Sequence, residues 1–137
     1  MTDTHSEIQL LAKFRQEIRR FLQFSEQAAL SAGIQPQQHQ LLLQIAGAPE
    51  GTPVTIGYVA EVMGLRHHSV VELSNRSEAA GLVRRMHDPA DRRCVLLELT
   101  AQGQRALRAL SDAHAQQLRE LAPGLIQALT RISEAKP

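Results

Sequence analysis

The stretch TIGYVAEVMGLRHHSVVELSNRSEAAGLVRRMHDPADRRCVLLEL, Thr55–Leu99, changes its hydrophobic period once, and that change decides the fold. Behind Thr55, a good helix N-cap, the residues Ile56, Val59, Ala60 and Met63 form one face of a short helix. Gly64 suits a tight turn with positive φ. A second helix is expected from about His67 to Ala80, with Val70, Leu73, Ser77 and Ala80 inward and Gly81 as its stop. The period then shortens. Leu82–Met86 reads as one strand and Cys94–Leu99 as another, with Val95, Leu97 and Leu99 on a shared face. Between them Asp88–Arg93 is a polar turn sequence.

Helix, glycine turn, helix and hairpin in that order predict a winged helix-turn-helix. Its flanks are helical. A first helix is expected from about Glu7 to Ala32, with Ile8, Leu11, Phe14, Ile18, Phe21, Leu22 and Ser25 at helical spacing. Pro36 opens the next helix, whose apolar face is Leu41, Leu42 and Ile45. Beyond the hairpin, Thr100 caps a long helix carrying Ala106, Leu107, Leu110, Leu118 and Leu121. Pro123-Gly124 is expected to break it, leaving a last helix with Leu125, Ile126, Leu129 and Ile132. The fold class is mainly α with a small β-hairpin wing, in a single domain over 1–137.

Composition agrees with that class. Apolar residues make up 43% of the 137, yet only Phe14, Phe21, Phe24 and Tyr58 are aromatic, so the core is aliphatic. The single cysteine, Cys94, cannot form an intrachain disulfide, and with no signal peptide this points to the cytoplasm. No apolar run approaches the ~20 residues of a membrane span. Enzyme chemistry has no support: there is no nucleophile elbow, phosphate-binding glycine loop or metal motif, and Ser69 beside His67 and His68 lacks an orienting acid. No cofactor and no metal are expected. His67 and His68 are adjacent and point apart, and His5, His39, His87 and His114 lack ligand spacing.

The formal net charge is only +1, so any nucleic-acid surface must be local. From Arg66 to Arg93 there are six arginines against four carboxylates, a balance of +2, together with His67, His68 and His87. The second helix of the pair exposes Arg66, His67, His68 and Ser69 at its start and Glu72, Asn75 and Arg76 farther along. Donors and acceptors near a helix start are what major-groove readout needs. Glu72 either accepts from a cytosine amino group or orients Arg76. At the hairpin tip, Arg92 and Arg93 suit the negative potential of the minor groove, and Asp91 is placed to hold one guanidinium by a forked pair.

The runs Thr55-Ile56-Gly57-Tyr58-Val59-Ala60-Glu61, Gly64-Leu65, Ser69-Val70-Val71-Glu72-Leu73 and Gly81-Leu82-Val83-Arg84-Arg85 resemble the MarR family of regulators. Asp88-Pro89-Ala90-Asp91-Arg92-Arg93 followed by Leu99-Thr100-Ala101-Gln102-Gly103 is similar to that family's wing signature. The resemblance implies a homodimeric repressor of transcription on a pseudo-palindromic duplex, with release by a small-molecule effector as an option the family offers. It implies dimerisation helices at about 7–34 and 101–135 around a DNA-binding part at about 36–99. It also implies that Arg93 enters the minor groove with Asp91 orienting it, and that Arg76 is the recurrent arginine late in the recognition helix.

Two residues depart from the family pattern. Ser77 stands where a larger aliphatic residue is usual, which weakens packing beneath the recognition helix or leaves room for something else. The first helix lacks the sensing cysteine of the family's redox branch. Cys94 reads first as a small apolar strand residue; a reactive thiol, lowered by Arg92 and Arg93, is the other reading. His39 lies near the family's effector pocket and reads first as a structural histidine. The rival to DNA binding is a winged-helix module that contacts protein, favoured by the low net charge.

Overall fold

The computed structural model describes residues 4–134. Five helices and one hairpin follow in the order α1 (Thr4–Ser31), α2 (Pro36–Ala46), α3 (Ile56–Met63), α4 (His67–Ala79), β1 (Val83–Asp88), β2 (Asp91–Leu99) and α5 (Ala101–Glu134). They fall into two compact units, one of residues 29–110 and one of residues 4–28 with 111–134.

In the 29–110 unit the apolar positions of every element meet in one aliphatic core. Leu41 and Leu42 of α2, Val59 of α3, Val70 and Leu73 of α4, and Val83 and Leu97 of the hairpin are all buried. The helix starts follow local chemistry. Gln38 accepts a hydrogen bond from the backbone N–H of Gln35 at 3.0 Å ahead of α2, and Thr55 Oγ1 accepts from Tyr58 N–H at 3.0 Å ahead of α3. Gly64 ends α3 at φ +66°, a left-handed conformation that turns the chain directly into α4. The antiparallel ladder pairs Val83 with Leu99 and His87 with Val95, and a backbone bond from Leu97 N–H to Val54 adds a short third edge.

The threonine and glycine after β2 have a steric reason. Thr100 Oγ1 donates to the Gly81 carbonyl at 2.6 Å and accepts from Gly103 N–H at 3.0 Å. A Cβ on residue 103 would lie 2.0 Å from the Leu82 carbonyl oxygen, so only glycine lets α5 start against the hairpin base.

In the other unit α1 presents two faces. Glu17 and Ser25 are buried with Leu121 and Ala128 of α5, while Ile8, Leu11 and Leu22 are more than half exposed. Glu17 is bracketed by Lys13 at 2.8 Å and Arg20 at 3.5 Å, and the Lys13 contact holds its carboxyl below the usual range despite its burial. His114 of α5 sits edge-on to Phe21 and Phe24, with Nε2 2.8 Å from Ser25 Oγ.

Three expectations need correcting. The helix does not break at Pro123: α5 runs through it to Glu134. A proline deletes only its own N–H bond and crowds one preceding carbonyl, and good helix formers with buried Leu121 and Ala128 flank this one. The strands are longer than expected, so Arg92 and Arg93 belong to β2 and the turn is Asp88–Asp91. Asp88 Oδ1 accepts from Ala90 N–H at 2.9 Å, which closes the chain tightly enough for pairing to begin at Asp91. Finally, Ser74 is buried on the inner face of α4 where Ala80 was expected, because the helix stops at Ala79 and Ala80 is exposed.

Candidate nucleic-acid interface

The start of α4 is built open. Arg66 occupies its N-cap with extended backbone, φ −74° and ψ 154°, and makes no side-chain cap. The first N–H groups of a 13-residue helix therefore face outward, where the helix dipole favours an anion. Arg66, His67 and His68 are exposed around them, and Ser69 is half-buried. Farther along, Glu72, Asn75 and Arg76 are exposed on the face opposite Val70, Leu73, Ser74 and Ser77. Helical spacing brings His68, Glu72, Asn75 and Arg76 onto one outward stripe. Asn75, which the sequence already set beside Glu72 and Arg76, lies on this stripe.

The underside of α4 is polar where a core helix is normally apolar. Ser74 and Ser77 are fully buried, and neither Oγ has a hydrogen-bond partner among the described residues. His39 is buried on α2 of the same unit, as a structural histidine would be.

Asp91 organises the wing. Its Oδ1 accepts from Arg93 N–H at 3.0 Å and from Arg93 Nε at 3.2 Å, so one oxygen takes both bonds and the pair is not a fork. The backbone bond first and the guanidinium second hold the Asp91 carboxyl below its usual value. The remaining carboxylate oxygen, Oδ2, lies 3.7 Å from Cys94 Sγ. The Cys94 thiol is pushed up, first by burial and then by the Asp91 charge, which outweighs the opposing pull of Arg93. That corrects the reading of Cys94 as a thiol activated by its arginines. The Arg93 side chain itself is 92% exposed.

Pairing sorts the arginines. Arg84 is engaged by Glu98 across the hairpin, and Arg85 by Glu78 of α4 at 3.4 Å. Glu78 also accepts from Arg85 N–H at 3.1 Å, which ties β1 to the end of α4. Among the described residues Arg66, Arg76 and Arg92 form no ion pair, and neither does Glu72, so Glu72 does not clamp Arg76 here. Within residues 66–93 the arginines without an ion pair therefore lie at the start of α4, on its outer stripe and on the wing.

A glycine-turned helix pair with an open outer helix and a basic hairpin defines the winged helix-turn-helix class. Residues 32–93, which take in α2, α3, α4, β1 and the start of β2, match the family model described as "MarR family". Solved structures agree in fold. A MarR family protein from Bacillus stearothermophilus superposes with a TM-score of 0.75 at 21% identity, covering 88% of this chain and 82% of its own. AbsC, a MarR family transcriptional regulator from Streptomyces coelicolor, gives 0.72 at 20% identity over 98% and 95%. The S. aureus MepR–DNA complex gives 0.67 at 21% identity over 80% of each chain. No curated protein matches the chain.

Proposed function

We propose that this protein is a sequence-specific regulator of transcription that binds double-stranded DNA as a homodimer and acts as a repressor. The observation that carries the proposal is the Asp91–Arg93 contact, which holds an almost fully exposed guanidinium on the wing of a unit whose α4 has an open start. In this account Arg66, His67, His68, Ser69, Glu72 and Arg76 work in the major groove. Arg92 and Arg93, with Asp91 orienting Arg93, work at the adjacent minor groove. That MepR has been solved with DNA supports the same use of the shared fold.

Pairing is supported by the second face of the terminal helices. Ile8, Leu11, Ile18 and Leu22 of α1, and Leu118, Ile126 and Leu129 of α5, are exposed apolar side chains at helical spacing. A second copy would cover them and set two reading heads about 34 Å apart, one turn of duplex. A small-molecule effector would act by favouring a dimer with the wrong spacing. No helix among the described residues is long and apolar enough to cross a membrane, and we place the protein in the cytoplasm.

The test is a mobility-shift titration at fixed salt with Arg93→Ala. We expect strongly weakened binding with the dimer and the melting temperature unchanged. Binding equal to the parent's would remove Arg93 from the interface.

A further inference from the structure

His87 is exposed on β1 one residue before the turn at the wing tip, and its ring is held by one specific bond. Nδ1 lies 2.9 Å from the carbonyl oxygen of Arg92. A carbonyl only accepts, so Nδ1 carries the hydrogen and donates. In the neutral ring the lone pair is then on Nε2. Protonation there converts an acceptor into a donor with a positive charge, and leaves the bond to Arg92 in place.

Glu78, Arg85, Met86, His87 and Val95 line a hollow of about 350 Å³ between the end of α4 and the hairpin. A major groove and its neighbouring minor groove are separated by a single phosphodiester strand. If α4 occupies the first and the wing tip the second, that strand passes between them, over this hollow. The charged groups around His87 leave room for one more cation. On α4, Glu78 is matched by Arg85 of β1. Asp88 of β1 is turned to the Ala90 amide, and Asp91 of β2 is taken up by Arg93. Arg92 of β2 remains as a like charge.

We propose that His87 is a phosphate-contacting residue of the wing whose contact forms only when the ring is protonated, so that this protein holds duplex DNA more tightly as pH falls. The proposal rests on the DNA-binding function above. It gives the wing a role for a histidine that neither the recognition helix nor the Asp91–Arg93 contact uses.

The experiment is a fluorescence-anisotropy titration of the full chain with a labelled mixed-sequence duplex of about 30 base pairs, long enough to span both heads. It is run over a series of KCl concentrations at about pH 6 and about pH 8, the range in which histidine changes charge. Phosphate contacts are independent of sequence, so no operator is required. For the parent protein, the slope of log K against log[KCl] is expected to steepen by at least about 0.9 per reading head at the lower pH. His87→Asn places an amide nitrogen where Nδ1 was, keeping the bond to Arg92 while deleting the titrating nitrogen. It is expected to match the parent at the higher pH and to lose about 0.9 per head of the pH-dependent increment. His87→Arg is expected to show the steeper slope at both pH values. An increment in His87→Asn equal to the parent's, from His67 and His68 alone, overturns the assignment of His87 and leaves DNA binding standing. Failure of all three proteins to bind duplex at either pH overturns both.

Discussion

Asp91 divides two oxygens among three donors, and that division governs the chemistry of the wing. One oxygen holds the backbone and guanidinium of Arg93; the other lies against the Cys94 thiol. The Asp91 carboxyl is depressed, so the contact is intact above the ordinary carboxylate range and is given up as pH falls through the lowered folded value. A carbon-detected NMR titration should place the Asp91 midpoint below the ~3.9 of a free aspartate. Burial first, and the same carboxylate second, push the thiol up. Cys94 should alkylate more slowly near pH 8 than a free thiol, and Asp91→Ala should speed it. Equal rates in the two proteins would mean that burial alone protects the sulfur. At this scale the sequence pointed to a contact between Asp91 and a wing arginine, but which arginines are paired was not legible in it. Arg84 and Arg85 find Glu98 and Glu78 only once the ladder and the end of α4 bring them together.

The helix-turn-helix could be read from the chain because each boundary has a local cause: the Thr55 cap, the left-handed Gly64 and the shift from helical to alternating period. The hairpin ends were misplaced because the turn closes through Asp88 and the ladder starts inside what reads as a polar loop. The Pro123 break was misplaced because packing on both sides of a proline outweighs one lost hydrogen bond. Two predictions belong to elements. Gly103→Ala should destabilise the fold by on the order of 3 kcal/mol, since the added carbon meets a backbone oxygen that cannot yield. Ser77→Ala and Ser74→Ala should be neutral or stabilising by about 1 kcal/mol, because each removes a buried hydroxyl without a partner. Urea unfolding checks all three. A large loss in either serine variant would point to a buried water bonded there.

For the whole molecule, the pattern of α1 was legible only in part. The sequence sets Phe14, Ile18, Phe21 and Leu22 at helical spacing without dividing them, whereas the helix carries a covered face and an exposed one. Periodicity shows that a helix has apolar positions; it does not say how many partners share them. The exposed face is what a second copy would cover. Leu22→Glu or Ile126→Glu should shift the protein toward monomer in sedimentation velocity, and duplex affinity should fall with it, since two linked heads gain by effective concentration. Dimers unchanged in both variants would place the interface elsewhere.

The central claim is that a chain with a net charge of only +1 binds duplex DNA through exposed arginines gathered on α4 and the wing. The measurement that tests it most directly is the affinity for duplex DNA as a function of salt. The account predicts a linear fall of log K with log salt at a slope of about −4 or steeper, at about −0.9 for each phosphate neutralised by the two heads together. Absence of duplex binding at low salt, or an affinity indifferent to salt, would contradict it.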